Sequence, residues 1–360
     1  MSSATDIPTE RIGFIAKGDK ILFGLICAHV TLAVVLGLTT SFAFNPQMPQ
    51  LLAMLLGILM PWFVLIRFVH LIYAIGFVEK SAQPLAETIS VIKGLAVDFR
   101  WQIESVAKFL GLALFIASAG YLKEMITVIQ PFAWDTFFAE VDRVLHFGYD
   151  PWRLLMPLTG SHAVTTALNI AYHGWFFALF FCVFAACFGR SIPSKVFLVA
   201  FVLTFALGGN LIATIFSSAG PVYFERLGLG SDFAPLMAHL YALNDIGRLP
   251  ALDVQEGLWA SYELNSGNAA ISAVPSMHVA TSVLMALFAF THSRVLGWCT
   301  TVFAATIMIG SVHLGWHYAV DGYMGAAIAA ACWWGAKRWL FQAEAKLSRS
   351  EASSPSKYLL

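Results

Sequence analysis

Long apolar blocks decide what this chain can become. They lie near residues 21–44, 51–78, 106–128, 163–188, 195–218, 275–291, 295–314 and 318–341. A transmembrane helix needs about 20 consecutive, mostly apolar residues, so the blocks predict an all-α integral membrane protein with about eight transmembrane helices. Composition agrees: 59% of the 360 residues are hydrophobic and 12% charged, against about 45–50% and about 25% in soluble domains. Arg67, His70, Lys108 and Lys123 sit near the ends of the second and third blocks, where long basic side chains can snorkel to the headgroups. The first twenty residues mix charged and polar types without a cleavable signal pattern, so the first block is expected to be a retained span. The five cysteines all fall inside apolar blocks, with neither disulfide nor zinc spacing, and read as small apolar residues.

Eight spans put both termini on one side. Of the 21 lysines and arginines, only Lys123, Arg143, Arg153, Arg226 and Arg248 fall on the other side, with Arg67 inside a span. That asymmetry predicts cytoplasmic termini. The long loops 129–162 and 219–274 then face the periplasm, for a bacterial inner-membrane protein, or a lumen. Residues 79–105 carry Leu85, Ile89, Ile92, Leu95, Phe99 and Ile103 at helical spacing, which suggests a helix on the cytoplasmic membrane face or a solvated connector. The expected organisation is an N-terminal part with two extra spans and this connector (1–105), a six-helix membrane core (106–341) and a polar cytoplasmic tail (342–360). The zero net charge says nothing about partners; the apolar blocks make the bilayer and its lipids the expected surroundings, and no nucleic acid is expected.

Polar groups inside spans persist mostly where they pair or do chemistry. Two clusters stand out: S-A-V-P-S-M-H (272–278) and S-V-H-L-G-W-H-Y-A-V-D (311–321). Both fall at outward span ends. Pro275 suits a helix start, whose free N–H groups and dipole form an anion site. Ser276 adds a hydroxyl, and His278 lies within reach for proton transfer. His317 and Asp321 share a helical face at i, i+4. A carboxylate on one ring nitrogen fixes the tautomer and raises the basicity of the other, making His317 a candidate nucleophile toward phosphorus. His313, His317 and Asp321 also have metal-site spacing, but Gly315 argues against a continuous helix there, and no metal is expected. The other intramembrane histidines, His29, His70, His173 and His239, are expected to be helix contacts without chemistry, and Asn210 a close helix contact.

These motifs resemble the type 2 phosphatidic acid phosphatase superfamily, and most closely its inositolphosphotransferase branch, which includes inositol phosphorylceramide synthases. Members have a motif like S-F-P-S-L-H-A, similar to S-A-V-P-S-M-H-V-A here, and H-H-Y-x-x-D followed by glycines. His317, Tyr318, Asp321 and Gly325 match the latter, while Trp316 replaces its first histidine. The resemblance implies a six-helix phosphatase-type core preceded by two extra spans. It also implies His317 as nucleophile, Asp321 as its orienter, His278 as general acid and Ser276 on the phosphate, with no cofactor. The superfamily's arginine six residues before the nucleophile is Ser311 here. Its Arg-Pro pair becomes Gly220-Pro221 in G-P-V-Y-F (220–224). A phosphoryl transition state needs its charge stabilised, so other groups should supply the donors. Arg226 is the first candidate, Tyr223 belongs to the same element, and Arg248 and His313 are further ones.

The expected activity is a metal-independent phosphotransferase or phosphatase acting on a lipid phosphate or phospholipid. The acceptor would be a lipid or polyol alcohol, or water. Headgroup transfer is favoured over plain phosphatase action, because missing cations suit a phosphodiester donor better than a dianion. A transporter with proton-relaying histidines is the competing class, but it should show inverted repeats and broken helices, which the sequence lacks. The loop 134–155 interleaves apolar residues with Asp135, Asp142, Arg143, His146 and Asp150. It is expected either as an interfacial helix near the site or as a cap in which Asp142 and Arg143 pair locally.

Overall fold

The computed structural model describes residues 9–264 and 269–352 and is all-helical there. Six helices are long and apolar enough to cross a membrane: α1 (Thr9–Thr39, apolar from Asp19), α2 (Met48–Val78), α4 (Phe99–Ile129), α7 (His162–Phe188), α8 (Ile192–Ile215) and α12 (Arg294–His313). Two further helices, α11 (Met277–Phe290) and α13 (Ala319–Ala352), complete the eight blocks. The first is apolar but only 14 residues long, and neither is among the six. This is an integral membrane architecture, and six is the number of spans that length and apolarity support.

Serine starts several of these helices, as P-S or S-x-x patterns suggest. The hydroxyls of Ser161, Ser191, Ser276 and Ser293 accept N–H groups of the first turns of α7, α8, α11 and α12. Asp98 does the same for α4, accepting the Trp101 N–H at 3.0 Å. The third span helix therefore begins at Phe99, seven residues before its apolar block. The amphipathic connector is confined to α3 (Pro84–Val97), where Thr88 is the buried residue. Asp98 also pairs with Arg190, tying this end of α4 to the α7–α8 turn.

Burial along each helix tells which ones are central. Every side chain from Val196 to Val202 is buried, so α8 is apolar all round because it is surrounded. Around it pack α1, α4, α7, α11 and α13. By contrast α2 leaves Leu56, Ile58, Val64, Leu65 and Val69 exposed, the pattern of a helix facing lipid on most of its circumference. A contact between α1 and the core follows expectation: His29 Nε2 donates to Asn210 Oδ1 at 3.0 Å and Nδ1 lies 2.8 Å from Ser118 Oγ.

The two long loops are helical caps. Residues 129–162 contain α5 (Asp135–Leu145) and α6 (Pro151–Thr159), and residues 219–264 contain α9 (Ala234–Ile246) and α10 (Pro250–Leu264). Together with the start of α11 and the α12–α13 turn they enclose a second apolar cluster that includes Phe138, Trp152, Leu236, Leu240, Val274 and Tyr318. The candidate site lies between this cap and the helix bundle.

Candidate active site

His278 and His317 line one cavity of ≈ 290 Å³, together with Lys123, Tyr172, Trp175, Tyr223 and Trp316. Nearly forty residues separate the histidines in sequence, and the α11–α12 hairpin returns the chain to the same end.

His317 lies in the turn between α12 and α13. Gly315, with φ at 74°, breaks the helix there, and the Ser311 carbonyl accepts the N–H groups of both Trp316 and His317 at 3.0 and 3.1 Å. The turn brings His317 Nδ1 to 3.3 Å from Asp321 Oδ2, which also accepts the Tyr318 N–H at 3.0 Å. Asp321 is fully buried, and its Oδ1 has no partner. Burial pushes the His317 imidazole down to about 3, against an opposing hydrogen bond at the Ala273 backbone. The ring is therefore neutral at pH 7, with Nδ1 against the carboxylate and the Ala273 backbone as a second partner of the imidazole.

His278, in the first turn of α11, is held by aromatic faces. Tyr172 stacks on it at 4.3 Å and 17°, and Trp175 lies at 4.0 Å and 38°. Trp316 lies beyond Tyr172, parallel at 6.2 Å and 6°. Trp175 is itself fixed, donating from Nε1 to Thr281 Oγ1 at 3.0 Å. Such a stack orients an imidazole without occupying its nitrogens.

Close helix approach binds the two clusters together. The Ser276 N–H donates to the Asp321 carbonyl at 3.0 Å. At Gly325, a Cβ would sit 2.5 Å from the Ser276 carbonyl oxygen, so the glycine four residues after Asp321 lets α13 lie against the start of α11. On the other side Gly208 and Gly209 face Met277, where a Cβ would lie 3.4–3.5 Å from its sulfur. They belong to a π-helical stretch of α8, Thr204–Ile212, a distortion often found beside functional sites.

The short helix α5 fixes the rest. Asp135 accepts the Ser218 hydroxyl, the N–H groups of Ala219 and Gly220, and the Tyr318 hydroxyl, at 2.8–3.0 Å. Asp142 accepts the N–H groups of Ala319 and Val320 at 2.6 and 2.8 Å, an acceptor at the positive end of α13. Burial pushes the Asp142 carboxyl up, while those two N–H groups oppose it. Of the two expectations for this segment, it is the helix beside the site that the structure shows. Asp142 bonds α13, whereas Arg143 pairs with Glu140, Asp150 and Asp232. The spacing of Asp135 and Asp142, two turns apart on one face, was the available signal.

The expected phosphate donors fall differently. Tyr223 lines the cavity, although its hydroxyl donates to the Gln255 carbonyl at 2.9 Å. Ser276 is fully buried as the cap of α11 and is not among the lining residues. Arg226 pairs with Glu256 and lies over Trp259, and Arg248 pairs with Asp253 on the surface. Neither lines the cavity. His313 is buried, hydrogen-bonded through its two nitrogens to Thr159 and Thr165 at 2.8 and 2.9 Å. Among the described residues, no group of three or more His, Cys, Asp or Glu is placed to hold a metal ion. His173, expected to be a helix contact, does donate to the Asn169 carbonyl at 2.8 Å, but it also lines the cavity. Gly220, where the arginine is absent, has φ at 100°, and a Cβ there would lie 2.6 Å from the Trp316 carbonyl. No side chain fits at that position.

Fold and site together define a polytopic helical membrane protein with a paired-histidine centre at one end of its bundle. A family model described as the PAP2 superfamily matches residues 136–335, more than half of the chain and both histidine motifs. The chain belongs to the PAP2 superfamily. No curated protein and no solved structure matches it. Membership points to a phosphatase or phosphotransferase acting on a lipid-like phosphate in the bilayer.

Proposed function

We propose that this protein is a lipid phosphotransferase or phosphatase working through a phosphohistidine, with headgroup transfer of the inositolphosphotransferase kind favoured. The observation that carries the reading is the His317–Asp321 pair in the same cavity as His278. His317 Nε2 attacks phosphorus, forming an N–P bond as the P–O bond to the leaving alcohol breaks. His278 gives its proton to the departing oxygen. In the second half an acceptor hydroxyl attacks phosphorus, its proton passes to His278, and the N–P bond breaks, restoring both residues. Asp321 holds the tautomer throughout. Water as acceptor gives a phosphatase, and a lipid or polyol alcohol gives a transferase. The charge asymmetry of the sequence supports cytoplasmic termini and a site opening to the periplasm or a lumen. The apolar blocks at 275–291 and 318–341 support spanning roles for α11 and α13, giving eight spans, two of them ahead of a six-helix core.

The test is a lipid phosphate in detergent with EDTA present, following both phosphate release and headgroup exchange with several acceptor alcohols. Exchange exceeding hydrolysis supports transfer, and hydrolysis alone supports the phosphatase form. Full turnover by His317→Ala would overturn the mechanism.

A further inference from the structure

The lysine on α4 lies outside the residues that the family model matches, yet it reaches the cavity. Lys123 lines it together with both histidines, and its charge acts on both imidazoles. Among the described residues its ammonium group has no ion pair or hydrogen-bond partner. Two other donors of the same cavity are in the same condition: the Tyr172 hydroxyl and Trp316 Nε1 are buried without partners. The positions where the superfamily carries arginines hold a fully buried Ser311 and a Gly220 with no room for a side chain. A cation and two idle donors beside the reacting histidines, with the usual cations gone, describe an anion site.

A second cavity of ≈ 320 Å³ adjoins the first and shares Lys123, Trp175, Phe176, Gly209, Met277 and His278 with it. Beyond that shared wall its lining is almost wholly apolar, running away from the site along Ala119 and Phe115 of α4, Leu179 and Phe180 of α7, and Phe205 and Phe201 of α8. Lys123 and Phe115 are eight residues apart on one helix, about 12 Å of rise. Lys123 thus stands where the chamber that holds the two histidines meets an apolar one.

We infer that Lys123 is a substrate-binding residue, gripping a phosphate oxygen of a lipid phosphate whose hydrocarbon chain occupies the adjoining phenylalanine-lined cavity. This rests on the proposed function and adds the cation that the matched core does not supply. The experiment is equilibrium binding of monoalkyl phosphates of graded chain length to the detergent-solubilised His317→Ala protein, which cannot complete turnover. Adding Lys123→Met should weaken binding about 10- to 100-fold, the loss expected for one charge-assisted hydrogen bond. Lys123→Arg should retain most of it, and Lys123→Gln gives the same test if the methionine variant does not fold. With Lys123 intact, affinity should rise up to about fourfold per methylene until the cavity is filled. Unchanged binding in Lys123→Met overturns the role of the lysine, and affinity independent of chain length overturns that of the cavity. If the wild type neither turns over a lipid phosphate nor binds alkyl phosphates, the proposed function itself falls. If it turns over lipid phosphates and Lys123→Met binds normally, only this inference falls.

Discussion

A methyl group at position 325 would lie 2.5 Å from the Ser276 carbonyl oxygen and 3.5 Å from Ala280 Cβ. Neither neighbour is the end of a flexible side chain, so Gly325→Ala must push α13 and α11 apart by about half an ångström to one ångström. Overpacking of this kind costs about 1–3 kcal/mol, partly offset by about 1 kcal/mol of helix preference for alanine over glycine. The net change in stability is therefore small, about 0–2 kcal/mol. Catalysis is less forgiving, because the shift separates His278 from the His317–Asp321 pair, and a misplacement of about 1 Å can cost about 100-fold. The expected outcome is a fall of about 10- to 100-fold in turnover of a lipid phosphate, with a thermal midpoint in detergent within a few degrees of wild type. Two glycines of the same helix serve as controls. Nothing lies within 4 Å of a Cβ at Gly335, so Gly335→Ala should leave turnover unchanged and raise stability slightly. At Gly322 the obstacle is the Met308 sulfur, the end of a flexible side chain that can swing aside, so Gly322→Ala should be intermediate. Wild-type turnover in Gly325→Ala would refute the argument that this contact sets the distance between the two histidine clusters.

Asp142→Asn keeps the shape but leaves one acceptor for two N–H groups, so turnover should drop about tenfold or more while KM for the lipid phosphate changes little. Equal losses in both would show that α5 binds substrate instead of positioning the turn. Arg248→Gln removes an exposed ion pair and should leave kcat and KM within twofold, since such pairs contribute about 0–1 kcal/mol; a large loss of kcat/KM would return Arg248 to the phosphate site. His317 supplies a pH prediction. Its imidazole is held down at about 3 in the fold, against about 6.5 in the unfolded chain. The neutral folded form is fully favoured above pH 6.5, and that stability is lost as pH falls toward 3. Between pH 6.5 and 5 the loss is about 2 kcal/mol. Thermal midpoints at pH 7 and 5 should therefore differ less in His317→Asn than in wild type, and equal differences would refute the assignment.

The chemistry-bearing residues of the two motifs were legible because local rules place them. Proline before serine starts α11 and puts His278 in its first turn, and i, i+4 spacing sets Asp321 beside His317. Gly325 could be seen as part of a motif, though its reason, contact with the carbonyl of Ser276, could not. The sequence leaves the direction of Lys123 open for a physical cause. A lysine at a span end is equally at home reaching headgroups or reaching inward, and only the rotation of α4 about its axis decides between them. Arg226 and Arg248 looked available because sequence shows charges but not their partners, and Glu256 and Asp253 claim them. His313 stood four residues from His317, yet the positive φ of Gly315 ends the helix and leaves it between two threonines. The π-helical stretch of α8 has no sequence signal of its own.

The carboxylates of α5 have a consequence for how the chain is made. Asp142 is almost fully buried, and its hydrogen-bond donors are backbone groups of Ala319 and Val320, nearly 180 residues later. Until the last helix has been synthesised and inserted, that carboxylate lacks those donors and must stay open to water. His317 and Asp321 arrive with the same segment. On the proposed mechanism, a nascent chain therefore holds no reactive centre while it is still threading into the bilayer, and competence comes as one event, when the C-terminal helix docks.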